Sequence, residues 1–415
     1  MATRRIALSL GADLCWPIYY EDILANLDPV VRVDGEDVTF EVERVTIEPF
    51  DLRQPTRYDL ILDRLTPWYH TTREWIKKAI LVDDVYALNN PFTLQAMEKH
   101  TSYATMIRLG LPIPETWLLP PHAYEPRADL QVTLERYARM FDLAEIGEKV
   151  GYPAYLKPFD GGAWEGVTRI DGPQQLVDSY DASGTRIMHL QAAVDPFDLF
   201  VRVLAVGPQV NVIRYEPAAP LHARYQVDFG FVDDEELSLL ADMAMTVNSF
   251  FGWEFNSCEA LRKDGVFHPI DFANANPDAQ VTSLHYHIPW LVKAMIRWSL
   301  FCAATRRRMD LDLGWHRFFA IADRDAPYRD KLAAYADIGR KRFEEERFEE
   351  FVATQLTDLD EVAWEYFSTD AARDAVRAKV ATMFPSHEVE AFTDHFWGLI
   401  QFWRNTERDR LDETR

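Results

Sequence analysis

The sequence predicts an α/β chain that begins with a doubly wound parallel sheet, continues through hairpin-like strand pairs and ends in helices. Three observations predict this. The first 90 residues alternate strand-like and helix-like segments, the pattern of a parallel sheet with covering helices. The middle of the chain pairs strand-like runs across glycine-containing turns. From about Ser283 onward the periodicity is helical, clearest in LVKAMIRWSLFCAAT, and the last stretch, including KRFEEERFEEFVA, has charged outer faces.

In order, RRIALSLGA reads as a strand, YYEDILANL as a short amphipathic helix, VTFEVERVTI as a strand of period two and YDLILDRL as a buried strand. TTREWIKKAILV is a helix with Thr71 or Thr72 as its cap. A helix is expected from near Pro91, closed by Gly110 and followed by a proline-rich connector. YLKPFDGGAWEGVTRI is strand, glycine loop, strand. IMHLQAAV is a strand ending in a small-residue hinge. LFVRVLAVGPQVNVIRYEP turns at Gly207-Pro208, and FNSCEALRKDGVFHPIDFANANPD turns at Lys263–Gly265.

The 415 residues are 48% hydrophobic and 27% charged, which suits a globular chain of two to three domains. No apolar run is long enough for a membrane span, and MATRRIALSLGADLCW makes a poor signal peptide. Cys15, Cys258 and Cys302 are too scattered for a disulfide framework or a zinc site, so a reducing cytoplasm is expected. A net charge of −23 disfavours nucleic acid but not an anionic small ligand in a locally basic cleft.

Three stretches carry chemistry. In LKPFDGGAWEGV, Lys157 precedes Gly161, Gly162, Ala163 and Trp164. Glycines let backbone N–H groups approach an anion, and a lysine adds a point charge suited to phosphate. In LQAAVDPFDLFVRV, a hinge after a strand offers backbone groups to a flat ligand edge. Gln191 is placed to bond an amino group and Asp198 to accept from ribose hydroxyls. In CEALRKDGVFHPIDFANANPD, Glu259 and Asp271 sit on facing strands with Asn274 beyond. Such oxygens suit a hard divalent cation arriving with nucleotide phosphates, while Asn, Pro and Asp are also turn formers. Asp278 reads as a cap.

In the order and spacing of these stretches, residues 1–300 resemble the ATP-grasp family. Within it they are most similar to the glutathione-synthase and ribosomal-protein glutamylation branch, with D-alanine–D-alanine ligase more distant. The resemblance implies an N-terminal parallel-sheet domain (1–90), a small lobe with the glycine loop (91–187), a lobe with the metal site (188–300) and a helical extension (301–415). The two lobes would sandwich ATP.

By the same resemblance Lys99 and Lys157 hold ATP phosphates, Gln191 and Val194 grip adenine, and Asp198 holds ribose. Glu259 and Asp271, twelve apart, bind Mg²⁺ or Mn²⁺ with an asparagine. The family pattern is Glu-x-Asn. Here it is Asp271-Phe-Ala-Asn274, one residue longer, so Asn274 is favoured over Asn276. Arg202 is the candidate for steadying the transferring phosphoryl group, with Arg214 behind it, and the loop over Gly161–Gly166 would close on the phosphates.

The implied reaction is ATP-dependent activation of a small-molecule or peptide carboxylate for attack by an amine. A kinase-like phosphotransfer and a non-catalytic nucleotide-binding role are the alternatives. Asp13, Trp16 and Tyr19 are substrate contacts or, more simply, core aromatics and a helix cap. Arg64, His70 and Arg73 are substrate-carboxylate candidates or surface ion pairs. His285 and His287 read as structural. The aromatic-rich DHFWGLIQFWRN packs on the core or forms a homodimer.

Overall fold

Three sheets and a helical cap make up the computed structural model, which describes residues 1–93, 99–159 and 165–413. The first sheet holds β1 (Ala2–Ser9), β2 (Val31–Val33), β3 (Glu36–Arg44), β4 (Leu60–Asp63) and β5 (Tyr86–Leu88), in the order β2-β3-β1-β4-β5. β1, β3, β4 and β5 run parallel, as their alternation with α1 (Trp16–Leu27) and α2 (His70–Asp83) requires. β2 is an unexpected antiparallel edge, paired with β3 across Asp34–Gly35, both at positive φ. α2 starts at His70 after Tyr69, with no side-chain cap. Thr71 and Thr72 lie inside its first turn, so the cap expected of them is absent.

Pro91–Thr93 form a turn, held by the Asn90 side chain accepting from Phe92 N–H, so no helix begins at Pro91. The described helix α3 covers Lys99–Leu109 and ends at Gly110, whose φ of +86° closes it without a Cβ penalty.

The second sheet, β6 (Thr116–Leu119), β7 (Ala154–Pro158), β8 (Thr168–Ile170) and β9 (Met188–Ala192), is antiparallel in the order β6-β9-β7-β8. It is accompanied by α4 (Ala128–Tyr137), α5 (Leu143–Val150) and α6 (Pro173–Asp181). β9 hydrogen-bonds to both β6 and β7, so residues 188–192 belong to this sheet.

The third sheet, β10 (Leu199–Val206), β11 (Gln209–Arg214), β12 (Phe255–Lys263) and β13 (Val266–Asn274), is antiparallel in the order β11-β10-β12-β13. One face packs on α7 (Asp234–Phe251), which opens with a capping box from Asp233 and Glu236.

After the short α8 (Val281–Leu284), α9 (Ile288–Ala304) is buried on nearly all sides. It packs against β1, β4 and β10 and so joins the first and third sheets. The boundary expected at 301 falls inside this helix. Six further helices lie between Trp315 and Glu413. In the last, Phe396, Ile400 and Trp403 join the chain's own core.

The joint between first and third sheets is specific. The Asn89 amide donates to Phe255 O (2.8 Å) and Ala275 O (2.5 Å), and its Oδ1 accepts from Glu254 N (2.6 Å) and Phe255 N (2.7 Å). The end of β5 thereby holds both the start of β12 and the exit from β13, the two strands that bear the expected metal acids. Among the described residues no helix is long and apolar enough to cross a membrane.

Candidate active site

The site's register begins at the β12–β13 turn. Asp264 and Gly265 have φ of 52° and 76°, the backbone a two-residue hairpin demands of Asp-Gly. That turn alone would pair Glu259 with Ile270; a register shift between Glu259 and Ala260 sets it opposite Asp271 on β13, and on β10 it lies opposite Arg202. Directly opposed residues share a face, so Arg202, Glu259 and Asp271 form one row across the sheet. The Arg202 guanidinium donates to the Glu259 carboxylate and to the Tyr225 hydroxyl.

The extra residue in Asp-Phe-Ala-Asn is absorbed locally. Ser257 opposes Asn274 while Glu259 opposes Asp271, so two steps along β12 match three along β13. That is a β-bulge. In a regular strand, residues three apart face opposite ways. The bulge returns Asn274 to the face of Asp271, beside Ser257, whose Oγ accepts from its Nδ2 at 3.1 Å. Asn276 lies past the strand and donates to Arg64 O at 3.3 Å.

The second sheet presents its own row to this face. Lys157 opposes His189, and Tyr155 opposes Gln191. Lys157 Nζ donates to Gln191 Oε1 at 2.6 Å and lies 3.4 Å from Ile270 O on β13. From α3, Lys99 Nζ donates to Asp271 Oδ2 at 3.0 Å and is 8% exposed. One ammonium group therefore pairs with Asp271, and a second, from another element, lies against the backbone oxygen of the residue before it.

Burial pushes the Asp271 carboxyl up, but Lys99, Lys157 and Arg202 outweigh it and hold the group below the usual range. Burial, and then Lys99, bring the Lys157 ammonium down to about 8, against the pull of Asp271. Arg202 stays charged: its burial is outweighed by Tyr225, Tyr215 and Asp278.

Along the same face, towards the turn, lies a cavity of about 370 Å³ lined by Val194, Lys263, Val266 and His268, among others. Lys263 and Glu259 are four residues apart on β12, which spans roughly 13 Å.

Several expected roles do not fit this geometry. Both ends of the Gln191 amide are engaged, Oε1 by Lys157 and Nε2 by Thr116 Oγ1 at 2.9 Å, so Gln191 orients Lys157 rather than offering itself to an amino group. Asp198 is exposed and held by Arg262 at 2.7 Å, outside the row. Arg214 opposes Val201, which puts it on the other sheet face from Arg202, at the edge strand, paired with Asp228 at 2.6 Å. Trp16 and Tyr19 are core residues. Gly161, Gly162, Ala163 and Trp164 lie outside the described residues.

Other expected residues are brought in. Asp13 and Arg64, 51 positions apart, pair at 3.3 Å where β1 and β4 end, and Gln280 Nε2 reaches Asp13 at 3.4 Å. Asp278 caps the turn before α8, accepting from Gln280 N at 2.9 Å and Ser283 Oγ at 2.5 Å. Tyr225 was not foreseen, because nothing local marks a loop tyrosine as the partner of an arginine on β10. His100 and His189 were not singled out either, although each stands next to or opposite an expected phosphate lysine.

The donor set suits a hard cation that brings other oxygens with it. Glu259, Asp271 and Asn274 offer two carboxylates and a carboxamide, and Mg²⁺ commonly keeps water and phosphate oxygens in its remaining positions. Among the described residues no cluster of three or more His, Cys, Asp or Glu makes a metal cage unaided.

No family model and no curated protein matches the sequence. Several solved structures are similar in fold. A RimK-domain ATP-grasp protein from Sphaerobacter thermophilus is 13% identical with a TM-score of 0.45, over 66% of this chain and 92% of that one. D-alanine–D-alanine ligase from Bacillus anthracis is 12% identical with a TM-score of 0.47, over 83% and 99%. The VanG D-Ala:D-Ser ligase from Enterococcus faecalis is 11% identical with a TM-score of 0.45, over 81% and 99%. These scores and identities are low, so the functional reading rests on the chain's own geometry.

Proposed function

We propose that this protein is an ATP-dependent carboxylate–amine ligase of the ATP-grasp kind, working with Mg²⁺. The observation that carries the reading is the pairing of Lys99 with Asp271 and the approach of Lys157 to the neighbouring Ile270 O, beside the Arg202–Glu259 pair, where the second and third sheets meet. Positive groups placed among acids that can take a cation are what a polyphosphate needs. The base would occupy the cavity beside Val194, and the phosphates would lie over Asp271 and Glu259. The roughly 13 Å between these places suits a nucleoside triphosphate laid along the strand.

Glu259, Asp271 and Asn274 would hold Mg²⁺, which when bound neutralises phosphate charge. Lys99 would exchange its contact with Asp271 for a phosphate oxygen. Lys157, steered by Gln191, would hold another. A carboxylate oxygen attacks the γ-phosphorus and ADP leaves. The amine then attacks the acyl carbon, phosphate leaves, and the amine gives up a proton. Arg202 steadies the charge that develops beside Glu259, and burial of the site keeps water from the acylphosphate. Three buried free cysteines fit a reducing, cytoplasmic setting.

The test is a screen of carboxylates and amines for ADP release, with hydroxylamine present. A ligase yields a hydroxamate of its carboxylate together with ADP and phosphate. A stable phosphorylated product would replace this reading with a phosphotransferase. Lys157→Ala is expected to lower turnover about 10²–10³-fold with the fold retained by circular dichroism. Wild-type turnover in that variant removes the phosphate role of Lys157.

A further inference from the structure

Two histidines left out of the reading above sit among its charges. His189 stands opposite Lys157 and is 1% exposed. His100 follows Lys99 on α3. Its Nδ1 lies 3.3 Å from His189 Nε2, and the rings meet edge to face at 4.4 Å. The remaining ring nitrogen, His100 Nε2, is buried and has no hydrogen-bond partner among the described residues. Burial holds both rings towards the neutral form. The His189 imidazole falls to about 3, with His100, Lys157 and Lys99 adding to the effect of burial and Asp271 opposing it.

We propose that His100 takes up a proton when a nucleoside triphosphate binds and becomes a third cation on the phosphates. This rests on the nucleotide reading above. In the neutral pair one proton lies between His100 Nδ1 and His189 Nε2. With that proton on His100, its Nε2 is a bare acceptor and repels a phosphate oxygen. A proton from solvent on Nε2 turns it into a donor, and the Nδ1–H bond to His189 is unchanged. His189 is thus a positioning residue that fixes the ring.

The other groups around the pair decide when this happens. Lys99 and Tyr103 come from α3, Lys157 from β7, Gln191 from β9 and Asp271 from β13, while Phe159 adds only its ring. Two ammonium groups against one carboxylate oppose a further positive charge. Several phosphate oxygens reverse that balance.

The experiment is calorimetric titration of the full chain with Mg·ATP at pH 7, in two buffers of different ionisation enthalpy. Lys157 is already mostly charged at that pH. The wild type is expected to take up close to one proton per nucleotide. His100→Gln, whose amide donates without titrating, should bind within about tenfold of wild type and lose the uptake. His100→Ala should bind about 10–100-fold more weakly. Binding with no proton uptake, or equal uptake in His100→Gln, overturns the proposal and leaves the nucleotide reading standing. A wild type that binds no Mg·ATP overturns both.

Discussion

Two buried charge clusters in this chain follow opposite rules. At the joint between the first and third sheets, Glu254 is 4% exposed and accepts from the Tyr86 hydroxyl and from Trp298 Nε1 at 2.6 Å. Arg307 beside it engages each of its three nitrogens: Nε to the Tyr86 hydroxyl, Nη1 to Glu344 and Nη2 to Arg342 O. Around the candidate site, Arg202 Nε, Arg64 Nη1, His100 Nε2 and Asn276 Oδ1 are buried without partners among the described residues. Both clusters have given up water, but only the first recovers its hydrogen bonds within the chain. A buried unsatisfied polar group costs about 1–3 kcal/mol. The closed cluster fastens sheets together, and the open one leaves polar atoms that the proposed nucleotide would partner.

The largest expected effect tests the closed cluster. Glu254→Ala leaves the Tyr86 hydroxyl and Trp298 Nε1 buried without their acceptor and should cost about 2–6 kcal/mol in denaturant unfolding. Nucleotide affinity per folded molecule should stay unchanged. A variant as stable as wild type would remove the fastening role.

Next comes the contrast between the two arginines of the β10–β11 hairpin. Arg202→Ala should lower turnover about 10²–10³-fold. Arg214→Ala, on the other face in an exposed pair, should leave turnover intact and change stability by less than about 1 kcal/mol. Equal losses would mean that the face assignment does not govern function.

The smallest effect is the pH dependence of binding. Lys157 has its pKa lowered to about 8 in the free protein, and phosphate would raise it. The Lys157 contribution to Mg·ATP affinity is therefore full below pH 8 and falls as pH rises through that value, by at most about tenfold per pH unit, added to the fall at lower pH that proton uptake by His100 would bring. Lys157→Arg, always charged, should flatten the fall. A wild-type affinity level to pH 9.5 would contradict a lysine contact with phosphate.

Much of the framework was legible because it depends on neighbours in sequence. Alternation marked β1, β3 and β4, and the glycine turns at Gly207 and Gly265 marked both hairpins of the third sheet. The second of these turns fixes the pairing from Lys263↔Val266 to Ala260↔Pro269, but the opposition of Glu259 and Asp271 needs a register shift between Glu259 and Ala260 that the turn does not specify. α7 was missed although Asp233 and Glu236 spell a capping box, a signal that lay in plain view. The partners of Gln191, Asp198 and Arg214 were not legible for another reason. Each role came from counting along the chain, but the competing partners Lys157, Arg262 and Asp228 come from other segments.

The order of residues was enough to settle most of the strands and where their hairpins turn. Those outcomes follow from short-range sterics and the two-residue repeat of a strand. Three-dimensional packing alone decided that a bulge brings Asn274 to the face of Asp271, that Lys99 reaches across 172 positions to Asp271, and that Asn89 holds the two acid-bearing strands in place. Charge and hydrogen bonding act through space, so the partners of a buried polar group are chosen by the folded chain as a whole.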